Sequence, residues 1–180
     1  MSKVFRTFTT RDLIIIAGLA GIGLAIKPLV SPLSKMITSP LMIPGGSFTG
    51  GLYMLWMVLA VLIVDKFGTG IVYGLLQALV IMVIGIRGNQ GLLSLVSYTF
   101  PGLLVDLVYL AIPHPERIWG QMLLCAFANM AGALIVAIFV FHHPLPFILI
   151  IESMSMISGI IGGWISWAIY KTIKHYELVQ

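Results

Sequence analysis

Long apolar runs, separated by short clusters of charged, proline and glycine residues, divide the chain into six segments. The segments cover residues 13–30, 48–64, 69–86, 92–112, 118–141 and 145–170. Most of them approach the roughly 20 residues that a helix needs to cross the hydrocarbon core of a bilayer. The runs are continuous and do not alternate with a period of two, which disfavours a β-barrel. The pattern predicts an all-α integral membrane protein, a compact bundle of six transmembrane helices in one domain, residues 1–180.

The composition agrees with a membrane protein. Of the 180 residues, 59% are hydrophobic and 9% are charged, and the mean hydropathy is +1.08. Soluble globular domains have about 25% charged residues. The composition therefore excludes an ordinary soluble protein and disfavours nucleic acid as a partner. The single cysteine, Cys125, lies in an apolar run and supports no disulfide framework.

The loop charges predict the orientation of the bundle. Six spans place both termini on one side, and this side collects seven of the ten Lys and Arg residues: Lys3, Arg6, Arg11, Lys66, Arg117, Lys171 and Lys174. The opposite side holds Lys27, Lys35 and Arg87. Because Lys and Arg are retained on the cytoplasmic side, we expect both termini to be cytoplasmic.

Two features interrupt the regular pattern on the outer side. The dipeptide Lys27-Pro28 is expected to interrupt the first span. The stretch from Pro40 to Gly51 is apolar but rich in proline and glycine. It is expected to be irregular and buried in protein or lining water, because a lipid-facing irregular backbone would lack hydrogen-bond partners. We interpret it as a lid or pocket wall, with a structural re-entrant loop as the alternative.

Polar residues inside the apolar spans are candidates for function because they are costly in lipid. Glu152 lies in the outer part of the sixth span, and Arg87, Asn89 and Gln90 form a polar turn after the third. A guanidinium beside two amides can bind a carboxylate, a phosphate or a heterocycle. The alternatives are a structural ion pair for Glu152 and an interfacial anchor for the turn.

Further polar residues lie along the fourth and fifth spans. Ser94, Ser97 and Tyr98 share one helical face, which is expected to point at the bundle interior. Asn129 is expected to join helices by a hydrogen bond. Asp106 is expected to pair with Lys66 or Arg117 near the cytoplasmic edge, with a role in a proton relay as the alternative.

Small residues at four-residue spacing predict close helix packing. The first span carries Ala17, Gly21 and Ala25, and the sixth carries Gly159 and Gly163. The spacing alone leaves open whether each ridge packs within the chain or against another chain.

This layout resembles the substrate-binding S components of energy-coupling factor (ECF) transporters of the vitamin type. The resemblance implies that Ala17, Gly21 and Ala25 dock onto a transmembrane coupling subunit, which works with two cytoplasmic ATPases. It also implies a ligand pocket on the outer side. The positions of this chain that fall in that region are Ser47, Thr49, Arg87, Asn89, Gln90, Tyr98 and Glu152.

The resemblance implies a subunit of an ABC importer in the plasma membrane of a prokaryote, which captures a vitamin or related micronutrient outside and delivers it inward. A carboxylate at Glu152 would suit a cationic heterocycle such as thiamine or its pyrimidine precursor, whereas Arg87 would suit a carboxylated vitamin. Cobalt- and nickel-specific relatives begin with Met-His. This chain begins Met1-Ser2-Lys3, so no metal site is expected.

We expect no enzymatic activity and no cofactor. The sequence has no phosphate-binding Gly-x-x-x-x-Gly-Lys-Ser/Thr loop, so ATP hydrolysis is assigned to the partner subunits. It also lacks the serine-elbow and zinc-helix motifs of hydrolases. The alternative function is a stand-alone small secondary carrier or channel, for which symmetry-related broken helices would be expected.

Overall fold

The computed structural model describes residues 7–41, 43–84 and 92–176, and within these ranges it is all-helical. Six α-helices follow one another along the chain: α1 (Thr10–Thr38), α2 (Gly45–Val64), α3 (Thr69–Ile84), α4 (Leu93–Ala111), α5 (Ile118–Phe139) and α6 (Leu145–His175). Five of them are long and apolar enough to cross a membrane, and α3, with 16 described residues, is shorter. The predicted bundle of six helices is thereby confirmed in its helix count and class.

The helix α2 lies at the centre of the bundle, where it packs against α1, α3, α5 and α6. Twelve of its 20 residues are buried, whereas α1 buries only six of 29. Successive helices run antiparallel because their connections are short. The amino end of α2 therefore meets the carboxyl ends of α1, α3 and α5 at the end of the bundle opposite the two chain termini. We call this the distal end.

Backbone contacts at glycines hold the central helices together. A Cβ atom on Gly51 of α2 would collide with the backbone oxygen of Ser158 in α6, and one on Gly162 would collide with Gly51. On an adjacent face of α6, Gly159 and Gly163 lie directly against the backbone of α5. The small-residue ridge of the sixth span thus packs within the chain.

The start of α1 is fixed by a charged contact near the chain termini. Thr9 and Asp12 form a capping box, and Lys66 Nζ donates to Asp12 Oδ2 at 2.5 Å. Asp106 instead accepts hydrogen bonds from the backbone N–H groups of Gly70 (3.0 Å) and Ile71 (3.1 Å). The expected pairing of Asp106 with a basic side chain is therefore wrong. The carboxylate satisfies unpaired N–H groups at the amino end of α3, where the helix dipole also favours negative charge.

Two predicted interruptions are corrected by the structure. The helix α1 continues through Lys27-Pro28 and also contains Pro32. Membrane helices tolerate proline because neighbouring helices, Ser or Thr side chains, water or local adjustments of the helix can satisfy the backbone carbonyl groups that proline leaves unpaired. In the segment expected to be irregular from Pro40 to Gly51, Pro40 and Leu41 belong to a short 3-10 helix, and α2 already begins at Gly45. Its later glycines permit close helix contact and do not break the helix.

The glycine contacts lead to a test of stability. We expect Gly51→Ala to lower the free energy of unfolding by about 1–3 kcal/mol, because the added methyl group overpacks a backbone contact. The measurement is unfolding in mixed micelles with increasing SDS, followed by circular dichroism. The control is Gly18→Ala on α1, where a Cβ meets no atom within 4 Å. Equal stability of the two variants would contradict the assigned contact.

Candidate functional site

A cavity of about 540 Å³ lies at the distal end of the bundle. It is lined by the second half of α1, the first three turns of α2, the start of α4 and the distal parts of α3 and α5. Its volume falls within the range of roughly 300–1,000 Å³ that is typical of small-molecule sites. The polar residues in its described lining are Lys27, Ser31, Ser34, Lys35, Ser47, Thr49, Tyr53, Ser94, Ser97, Tyr98 and Asn129.

The basic side chain of Lys27 reaches aromatic rings in this cavity. Its Nζ atom lies 4.0 Å from the ring centroid of Tyr98 and 5.6 Å from that of Tyr53. Such cation–π contacts are attractive by about 0.5–2 kcal/mol, the more so away from water. Three helices, α1, α2 and α4, thus place one ammonium group and two rings at the same site.

Hydroxyl groups surround the start of α2. Ser34 Oγ donates to the backbone oxygen of Gly45 at 2.5 Å and ties α1 to the first turn of α2. Thr49 Oγ1 donates to the hydroxyl of Tyr53 at 3.1 Å. Ser47 is fully buried, and its Oγ atom has no hydrogen-bond partner in the described part of the protein.

Asn129 of α5 connects three helices beside the cavity. Its amide nitrogen donates to the backbone oxygen of Ser155 in α6 at 2.9 Å and to that of Ser47 in α2 at 3.5 Å. The neighbouring Gly50 leaves room for this amide, since a Cβ there would collide with it. The amide thereby fixes the first turns of α2, which carry Ser47 and Thr49.

The predicted site residues divide into three groups. Ser47, Thr49 and Tyr98 line the cavity. Glu152 is not among the lining residues, although its Oε1 atom is buried and has no hydrogen-bond partner among the described residues. The remaining three, Arg87, Asn89 and Gln90, lie outside the described residues.

The sequence analysis missed Lys27, which it counted only as a charge on the outer side. The signal was present in the sequence, because Lys27 follows a long apolar run and is itself followed by apolar residues. A lysine in such a place is expected to face a cavity or a partner. The lysine was counted only with the charges of the outer side because Lys27-Pro28 was expected to interrupt the first span.

The predicted docking ridge lies on the outside of the bundle. Ala17, Gly21 and Ala25 are all exposed on α1, and a Cβ on Gly21 would meet no atom within 4 Å. The helix buries a different stripe, which includes Ile16, Ala20 and Gly23. The ridge therefore remains available to a partner. The described ranges contain no group of three or more His, Cys, Asp or Glu side chains that could hold a metal ion.

Comparison with known proteins identifies the fold and the family. A family model described as "ABC-type cobalt transport system, permease component" matches residues 11–134. A crystal structure of an S component of an ECF transporter matches with a TM-score of 0.75 at 18% sequence identity, over 94% of this chain and 87% of that chain. No curated protein sequence matches the chain. The resemblance to S components that the sequence indicated is confirmed at the level of the fold.

The contacts of Asn129 generate a second test. We expect Asn129→Asp to lower the free energy of unfolding by about 1–3 kcal/mol, because a carboxylate cannot donate to the two backbone oxygens and would be buried beside them. Asn129→Ala removes the donor without adding a charge and is expected to cost only about 1 kcal/mol. Unfolding by SDS in micelles measures both. An Asp variant as stable as the Ala variant would show that the amide does not donate as assigned.

Proposed function

Because the chain belongs to the family of ABC-type cobalt transport system permease components, we propose that it is the membrane-embedded substrate-binding subunit of an ECF-type importer. The S-component fold supports this role. The observation that carries the proposal is the distal cavity of about 540 Å³, with its rings and hydroxyl groups. An S component needs a site that holds a small molecule before it is passed inward.

We propose that the distal end faces the outside of a prokaryotic cell and that both termini are cytoplasmic. Five basic residues, Arg11, Lys66, Arg117, Lys171 and Lys174, are described at the end of the bundle that carries the termini. The positive-inside rule places that end in the cytoplasm. In this orientation the cavity collects its substrate from outside.

The proposed substrate is a water-soluble organic micronutrient of the vitamin type. Tyr53, Tyr98 and several hydroxyl groups offer aromatic faces and hydrogen bonds to an organic molecule. The family description names cobalt. Divalent cobalt favours ligands such as imidazole, thiolate and carboxylate, whereas the described lining of the cavity offers ammonium, hydroxyl and amide groups. Thiamine or its pyrimidine precursor stays a prediction, and Glu152, which suggested it, does not line the cavity.

The proposed partners are a transmembrane coupling subunit and two cytoplasmic ATPases. The exposed ridge Ala17, Gly21 and Ala25 suits the first of these, because small residues allow a second helix to approach closely within the bilayer. ATP hydrolysis is assigned to the ATPases, so the chain itself is not an enzyme.

Filling the cavity tests the proposed function. The protein, purified gently from cells grown in rich medium, is expected to retain an organic molecule that native mass spectrometry detects. Gly46→Trp should abolish this retention, because Gly46 lines the cavity and a Cβ there meets no atom within 4 Å. The matched control Gly18→Trp also extends into open space, but outside the cavity. Retention by the Gly46 variant, or retention of cobalt instead, would contradict the proposal.

Blocking the ridge tests the partners. We expect Gly21→Trp to lose co-purification with the coupling subunit and the ATPases of the host, because the indole prevents close helix approach. Ligand retention should be unchanged, since Gly21 does not line the cavity. Leu107→Trp on α4, which is also an exposed position, serves as the control. Undiminished co-purification of the Gly21 variant would exclude the ridge as the docking surface.

A further inference from the structure

We propose that a hollow at the proximal end of the bundle binds the headgroup of an anionic phospholipid, with the ammonium groups of Lys171 and Lys174 paired to its phosphate. The proximal end is the end that carries the two chain termini, opposite the distal cavity. The proposed lipid site shares no lining residue with the distal cavity and does not depend on the substrate assigned there.

Basic and aromatic side chains share one face of the last turns of α6. Trp167 and Lys171 are four residues apart, and Lys171 and Lys174 are three apart, so these side chains are neighbours on the helix surface. Together with His175 and with Glu116 from the connection between α4 and α5, they line a hollow of about 630 Å³. Lys171 Nζ lies 5.2 Å from the ring centroid of Trp167, which places a positive charge at the aromatic wall of the hollow.

The charge of the hollow is complementary to a headgroup with a single negative charge. Two lysines and one glutamate line it, so with His175 neutral the described lining carries one net positive charge. Among the described residues, no carboxylate oxygen lies within 4 Å of the ammonium nitrogen of Lys171 or Lys174, and Glu116 Oε1 instead lies 3.4 Å from His114 Nδ1. The lysine N–H donors are therefore not taken up by an ion pair within the described chain, and phosphate oxygens are strong acceptors for them.

The depth of the hollow indicates a lipid as the source of the phosphate. The helix α6 has 31 residues and is about 46 Å long, whereas the hydrocarbon core of a bilayer is roughly 30 Å thick. Ile157, Ile161 and Trp164 are exposed along its apolar part, where they face lipid. Trp167 begins the lining of the hollow one turn later. Because tryptophan gathers at the membrane–water interface, the lysines that follow it lie at the level of the headgroups.

The helix dipole alone does not account for this arrangement. Lys174 and His175 lie in the last turn of α6, where positive charge is favoured by the unpaired carbonyl groups. Lys171 precedes that turn, yet its side chain borders the same hollow. A preference for positive charge at a helix end does not require the charges to converge with a tryptophan on one concave surface, whereas a phosphate bound between them does.

The test compares two phospholipids that differ in headgroup charge. The full chain is freed of bound lipid by extensive washing in detergent. It is then mixed with dioleoylphosphatidylglycerol, which is anionic, or dioleoylphosphatidylcholine, which is zwitterionic, and lipid adducts are measured by native mass spectrometry. We expect the anionic lipid to bind at least about tenfold more tightly, because each lysine near an anionic headgroup contributes about fivefold.

Variants then locate the lipid. The double variant Lys171→Gln/Lys174→Gln should lose this preference, and Lys171→Arg/Lys174→Arg should keep it. The matched control, Arg11→Gln/Arg117→Gln, also removes two exposed positive charges at the proximal end, but neither residue lines the hollow, so the preference should persist. Circular dichroism and the SDS unfolding midpoint establish folding. If the double glutamine variant is unstable, the two single glutamine variants, each expected to lose about fivefold, replace it.

Other results overturn the inference. Equal binding of the two lipids, or a preference that survives the glutamine substitutions, would each do so. In parallel the washed chain is mixed with ammonium phosphate instead of lipid, and a phosphate adduct that the glutamine variant loses, without any lipid preference, would assign the hollow to free phosphate. Unchanged lipid binding with loss of co-purifying coupling subunit would assign it to a protein partner. None of these outcomes bears on ligand retention in the distal cavity, which Gly46→Trp tests separately.

Discussion

Close backbone contact between helices is the constraint on which the rest of this bundle depends. Lipid tails are as apolar as leucine, so membrane helices gain little from burying apolar side chains against each other and rely on tight packing. Gly51 of α2 and Gly162 of α6 provide this packing at the centre. The helix α2 begins at Gly45, six residues before this contact, and carries Ser47 and Thr49 to the wall of the distal cavity.

Two ridges of small residues that look alike in the sequence have different surroundings. Gly159 and Gly163 lie against the backbone of α5 and so stabilise the chain's own fold. Gly21 has no neighbour within 4 Å of its Cβ position and lies on an exposed helix face. The contacts with α5 explain why α6 has small residues at Gly159 and Gly163. No contact within the described chain explains the small residues of the ridge on α1. A surface that permits close helix approach yet has no helix against it is suited to a partner subunit.

The sequence was sufficient for the helix count because a bilayer imposes long apolar runs, which periodicity and length reveal. The sequence was insufficient to predict local structure at proline and glycine, because each of these residues can either end a helix or lie within one. Proline and glycine were taken as helix breakers, but Pro28 lies within α1, and Gly50 and Gly51 permit close contacts within α2. Lys27 was missed as a cavity residue because a helix interruption was expected at Lys27-Pro28. The position along the chain was enough to predict that Ser47, Thr49 and Tyr98 lie at the distal end, and these three residues line the cavity. Glu152 lies at the same end but does not line the cavity. Which side chains face the cavity depends on the rotation of each helix about its axis, which the sequence did not reveal.

The helix α1 carries both the exposed small-residue ridge and part of the cavity wall, and Pro28 lies between these two parts. The exposed ridge from Ala17 to Ala25 precedes Pro28, whereas the cavity residues Ser31, Ser34 and Lys35 follow it. Pro28 and Pro32 each remove a backbone donor, so two carbonyl groups at this junction lose their helical hydrogen bonds. The distal half of α1 is therefore less firmly held to the proximal half than in an uninterrupted helix. Lys27 lies at the junction, with its ammonium group in the cavity and its backbone less than one turn from Ala25. The lining residue Lys27 and the exposed Ala25 thus lie within one turn of each other on α1, so the wall of the cavity and the small-residue ridge share one helix.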